Sequence, residues 1–112
     1  MESILTSIKK LLGIAEEYTH FDADIIMHIN SVFSVLNQLG VGPSEGFRIE
    51  DDSAVWSDFI DDDVKNYEYI KSYMHHRVKL MFDPPTNASV MEATNRIVNE
   101  LEWRLNLTAE SN

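Results

Sequence analysis

The sequence predicts an all-α fold, a small bundle of four to five helices around a central helix at residues 64–82. Three observations lead there. Residues 64–82 carry apolar side chains at helical spacing on two faces rather than one, so neighbours must lean on this helix from two sides. Glycines and prolines punctuate the chain where helical-period segments end, at Gly13, at Gly40 and at Asp83-Pro84-Pro85. The alternating run Phe47-Arg48-Ile49-Glu50 finds no second strong strand to pair with, so a sheet is not expected.

In chain order, residues 2–12 place Ile4, Leu5, Ile8, Leu11 and Leu12 on one face of a short amphipathic helix, and Gly13 supplies its left-handed terminus. So short a helix is marginal alone in water and must dock, on its own domain or on a neighbouring chain. A second helix starts within Thr19-His20-Phe21-Asp22-Ala23-Asp24, where either Thr19 or Asp22 can serve as N-cap. Both registers bring carboxylates to the positive end of the helix dipole. Its stripe is Ile25, Ile29, Val32, Phe33, Leu36 and Leu39, ended by Gly40, while Met27 stands alone on the polar side. A single exposed apolar residue carries no message by itself.

Residues 41–46, VGPSEG, are the clearest loop. Residues 47–50 then read as a short strand or an extended arm. Ser53 is expected to cap a short helix holding Val55, Trp56, Phe59 and Ile60, and one of Asp61, Asp62 and Asp63 to cap the central helix. On the central helix, Tyr67, Ile70, Met74, Val78 and Met81 form one stripe; Tyr69, Tyr73 and Leu80 form a second, with His76 at its edge. The paired prolines stop it at Phe82, because proline restricts its predecessor and cannot donate a helix bond. After residues 86–89 comes a last helix with Val90, Thr94, Ile97, Val98, Leu101 and Leu105 on its apolar face, and residues 108–112 form a polar tail that frays.

The expected core is therefore Ile29, Phe33, Leu36, Trp56, Phe59, Ile70, Met74, Val78, Met81, Ile97 and Leu101. Trp103 points away from its helix's apolar face, among Glu92, Arg96 and Asn99. It is either an interface anchor, a role in which tryptophan is enriched, or a second contact with the same core, since tryptophan is highly buried on average. Tyr69, Tyr73, Phe47 and Ile49 join Trp103 as candidate interface residues.

At 112 residues the chain is expected to form a single domain, residues 1–112. The 19 acids face 9 bases, a net charge of −10, with no basic run longer than two. Nucleic-acid binding rests on basic side chains neutralising phosphates, so a general DNA- or RNA-binding surface is not expected. Like charge also opposes self-association, so an oligomer must match charges locally across its interface. The opening residues, with Glu2 first and Lys9 and Lys10 inside the apolar set, do not follow the order of a signal peptide. No segment is long and apolar enough to span a membrane. With no cysteine there is neither a disulfide framework nor thiolate chemistry.

Site chemistry is not indicated. The dense acids Asp51, Asp52, Asp58 and Asp61 to Asp63 lack the spacing, central glycine and closing glutamate of a calcium loop. His75 and His76 diverge by roughly 100° on a helix, and His20 and His28 are two turns apart, so neither pair grips one ion easily. No nucleophile–base pattern or phosphate loop is present. No cofactor and no enzyme activity are expected.

Four short runs, His28-Ile29-Asn30, Leu36-Asn37-Gln38-Leu39-Gly40, Trp56-Ser57-Asp58-Phe59 and Phe82-Asp83-Pro84-Pro85, resemble in order and spacing a family of tailed-bacteriophage proteins. These are the small head–tail connector (adaptor) proteins, often labelled DNA-packaging proteins. The resemblance covers about residues 4–107, with His75-His76 departing from a central helix that is usually more apolar or tyrosine-rich. It implies a helical subunit of a homo-oligomeric ring, about twelvefold, beneath the portal at the DNA exit of the capsid. The portal protein and tail-side connector proteins would be its partners, the virion its location and the bacterial cytoplasm its place of synthesis. DNA would pass without specific binding, since carboxylates repel phosphates. The alternative expectation is a small soluble helical protein-interaction or regulatory module that takes a partner helix in a groove.

Overall fold

Ser3 starts the first helix. Its hydroxyl accepts the Thr6 N–H at 3.0 Å, meeting one of the orphan donors of a helix start. In the computed structural model, which describes residues 2–60 and 67–111, the helices are α1 (Ile4–Leu11), α2 (Asp22–Gln38), α3 (Trp56–Phe59), α4 (Tyr67–Phe82) and α5 (Ala88–Ser111). No strand occurs among the described residues; Ser3 and Val55 form one isolated antiparallel bridge. The expected cap from Asp61 to Asp63 and the first residues of the expected central helix lie outside the described residues.

The predicted terminators act at atomic level. After α1, Gly13 takes φ +82°, its N–H bonds the Lys10 carbonyl at 3.0 Å and the Ile14 N–H reaches Lys9 at 2.8 Å. After α2, Gly40 at φ +85° and Val41 repeat the pattern onto Asn37 and Leu36, at 3.0 and 2.9 Å. Both are Schellman ends, which need a residue free to enter the left-handed region. Two start signals differ from expectation. Phe21, not Thr19 or Asp22, precedes α2 and makes no side-chain cap, because the Asp22 carboxylate pairs with Lys9 instead, at 2.9 Å. Ser53 is not the cap of α3. The Asp58 carboxylate accepts the Val55 N–H at 2.9 Å, so the helix starts two residues later, while Ser53 turns back onto Asp51.

The central helix is touched from two sides. α4 packs against α2 on one flank and α5 on the other, with α1 leaning on both α2 and α4. Ile70, Tyr73, Met74 and Val78 are fully buried in that position. With Ile25, Ile29, Val32, Phe33 and Leu36 of α2 and Val98, Leu101 and Leu105 of α5 they form one core, which also takes Ile4, Ile8, Trp56 and Phe59. The Trp56 indole N–H donates to the Ser7 hydroxyl at 2.9 Å, so the ring is buried with its polar atom satisfied. Two expected core residues are corrected: Met81 and Ile97 are 39% and 42% exposed. Met81 lies in the last turn of α4, and Ile97 lies at the edge of the α5 face on which Met91 and Thr94 are partly buried and Val98, Leu101 and Leu105 buried.

The run at residues 47–50 is held without a partner strand. The Asn30 side-chain amide donates to the Ile49 carbonyl at 2.9 Å and accepts the Ile49 N–H at 2.8 Å. One side chain of α2 thus supplies both bonds a neighbouring strand would give. Beside it Phe33, Phe47 and Phe59 pack with ring centroids 5.0, 4.7 and 5.4 Å apart.

Candidate assembly surface

α5 presents two faces of different character. Val98, Leu101 and Leu105 turn into the core, and residue 103 lies roughly opposite them at about 100° per residue. Trp103 is 63% exposed there, with Leu107 beside it at 49%. Two ion pairs run along this outer face, Glu92 with Arg96 and Glu100 with Arg104, each at 3.0 Å and four residues apart. Such exposed pairs add little stability, but they cancel charge locally around the indole. Tyr69 of α4 is exposed and stands under the Arg104 guanidinium, 5.8 Å from the ring centroid, which carries the outer face of α5 onto the edge of α4.

Of the other expected interface residues, Tyr73 and Ile49 are buried and Phe47 is partly exposed. Tyr73 is fully buried, and its hydroxyl donates to the Glu102 carboxylate at 2.6 Å. Burial and this bond push its pKa well above the ordinary tyrosine value. It belongs to the α4–α5 contact and offers no free surface, because α5 covers the side of α4 that Tyr73 shares with Ile70. Ile49 is likewise buried, at 2% exposure, pinned by Asn30. Phe47 is half-buried between Phe33 and Phe59.

A second surface lies along the side of α2 turned away from α4. A groove of about 950 Å³ runs between α2 and residues 45–48, with Met27, Asn30, Ser34, Phe33, Phe47 and Arg48 among its lining. Its far wall stays in place because Asn37 donates to the Pro43 and Ser44 carbonyls at 3.1 and 3.3 Å and Gly42, at φ +88°, brings the backbone against the Phe59 ring. Glu45 and Arg48 are the charged residues of the lining. Among the described residues no carboxylate lies within ion-pair distance of Arg48. Sequence reasoning missed this surface, although Met27, at 57% exposure, was its visible mark: it belongs to a face, not to an isolated position.

Elsewhere polar groups are used structurally. Lys9 is 2% exposed and its ammonium donates to the Glu16 and Tyr18 carbonyls at 2.9 and 2.8 Å. His76 Nδ1 lies 2.7 Å from the Ser72 carbonyl. Burial, and then the neighbouring His76, push the half-buried His75 below the ordinary imidazole range, against a raising contact with the Leu11 carbonyl. Among the described residues no three His, Asp or Glu side chains converge to hold a metal ion, and no helix is long and apolar enough to cross a membrane.

A family model of phage connector proteins matches residues 4–112. No curated protein and no solved structure matches the chain.

Proposed function

The chain belongs to the phage connector protein family, and on that premise we propose that it is a ring-forming subunit at the head–tail junction, below the portal. Membership in the family implies a structural component of the virion. The finer reading is that the chain acts as one domain, made in the bacterial cytoplasm, and assembles into a homo-oligomer of about twelve copies. It would join the portal to tail-side connector proteins and let DNA pass through without holding it. The net charge of −10 suits that passage, since carboxylates facing a lumen repel phosphate and provide no counterion-releasing contacts.

The observation that carries the assembly reading is Trp103. An indole 63% exposed on a helix whose opposite face already builds the core lies outside that core, and tryptophan is a preferred interface anchor. Light scattering and sedimentation across protein concentration and salt, with and without portal protein, test it. Multimers that grow with concentration, and more readily as salt screens the acids, are expected. A monomer under all these conditions, portal included, refutes the ring.

A further inference from the structure

We infer that the ring is closed by a head-to-tail contact in which the outer face of α5 of one copy lies in the α2 groove of the next copy. This rests on the proposed ring assembly and specifies its two surfaces and its occupant, a second copy of this chain.

Placement comes first. α4 packs against both α2 and α5, and α2 and α5 meet directly at their C-terminal ends, where Asn106 donates to the Leu39 carbonyl at 3.3 Å. The groove and the outer face of α5 are nonetheless built from different residues on different elements. Two different patches are what a heterologous interface requires, and such an interface closes into a ring when its rotation is right. Charge is the second argument. A chain of net charge −10 repels its copies, so contact is favoured where acid and base are balanced. Both surfaces meet that condition: Glu45 and Arg48 are the charged members of the groove lining, and on α5 Glu92 pairs with Arg96 and Glu100 with Arg104.

Shape and chemistry agree. The groove follows α2 from Ala23 to Gln38, about 22 Å at 1.5 Å per residue, and residues 93–107 of α5 span about 21 Å. Met27 and Phe47 give the groove apolar walls for Trp103. Arg48, which has no ion-pair partner among the described residues, is weakly hydrated and stacks well on an indole face.

The chain has no cysteine, so introduced thiols report unambiguously. Ser34→Cys in the groove and Leu107→Cys on α5 are expected to cross-link only when the two single variants are mixed, and the double variant is expected to give a ladder of covalent multimers on oxidation. Trp103→Ala is expected to weaken self-association by about 30-fold or more, the equivalent of the ~2 kcal/mol of an anchor residue, while the thermal melt of the dilute chain stays unchanged. Three outcomes overturn the inference. If multimers form without 34–107 cross-links, or each single variant links to itself, the ring reading stands and these surfaces are wrong. If Leu107→Cys links only to an added portal or tail protein, that face serves another partner. If no multimer forms under any condition, the ring reading falls with it.

Discussion

The Lys9 ammonium lies 2.9 Å from an oxygen of the Asp22 carboxylate, an ion pair that ties α1 to the first residue of α2. It also donates to the Glu16 and Tyr18 carbonyls, at 2.9 and 2.8 Å, so the buried ammonium has two hydrogen-bond acceptors and one counter-charge. Buried charge is tolerated only when paired and hydrogen-bonded, so the connection at residues 12–21 is folded around Lys9. Lys9→Met keeps the side-chain length, strands both carbonyls and leaves the Asp22 carboxylate without its counter-charge; a loss of about 2–4 kcal/mol is expected in urea unfolding. Asp22→Asn keeps the two carbonyl bonds but takes the counter-charge from a buried ammonium, and is expected to cost about 1–3 kcal/mol. Equal, small losses would show that Lys9 does not organise the turn.

Burial along α4 and α5 sets a second expectation. Ile70→Ala and Met74→Ala remove fully buried side chains and are expected to cost about 2–5 kcal/mol each. Met81→Ala and Ile97→Ala, at positions 39% and 42% exposed, are expected to cost less than about 1 kcal/mol in the dilute chain. Similar losses at all four positions would contradict the packing.

Two glycines with the same backbone conformation separate backbone strain from steric conflict. Gly42 and Gly46 have φ of +88° and +91°, but a Cβ on Gly42 would come within 2.4 Å of Phe59 Cε1, while nothing lies within 4 Å of one on Gly46. Gly46→Ala is expected to cost about 1–2 kcal/mol for the left-handed conformation. Gly42→Ala adds the displacement of a ring wedged between Phe33 and Phe47, a further loss of about 1–3 kcal/mol. Chemical denaturation of the two variants side by side checks the difference.

His75 makes stability depend on pH. Its pKa is held down by burial first and by His76 second, so the unfolded chain binds its proton more readily than the folded one. Stability is then fully present above the unfolded pKa, about 6.5, and falls as pH drops through the folded value. His75→Gln is expected to flatten the part of the profile between about pH 7.5 and pH 5.5. Lys79 on the same helix adds to the effect. An unchanged slope in the variant would assign it to other groups.

The sequence by itself determined the helices and where α1, α2 and α4 stop. The last helix is the exception, running on through Ser111 against the expectation that residues 108–112 fray. Periodicity is local, so the α2 stripe and the double stripe of α4 could be read from neighbouring residues alone. Gly13, Gly40 and Pro84-Pro85 act within a few residues of themselves, and the structure ends α1, α2 and α4 beside them. The all-α class and the two-sided central helix follow from the same local signals. The four runs that carried the family resemblance are short and local as well, and the family match at residues 4–112 spans all of them.

What only the tertiary structure decided was which stripe faces which neighbour. Tyr69 and Tyr73 are equivalent by periodicity, yet Tyr73 is fully buried and Tyr69 is 44% exposed, because α5 crosses α4 over one and not the other. Val90 and Ile97 continue the stripe of Val98, Leu101 and Leu105 but remain half-exposed, because they lie at the edge of the face that Met91, Thr94 and Val98 turn towards the other helices. Lys9 reads as a surface lysine until residues 16–22 fold over it, and Ile49 reads as an exposed arm until Asn30, 19 residues earlier, supplies the bonds of a strand. Helical spacing fixes the direction of a side chain about its own axis. Whether anything stands in that direction is set by the lengths and crossings of other helices, which no local pattern encodes.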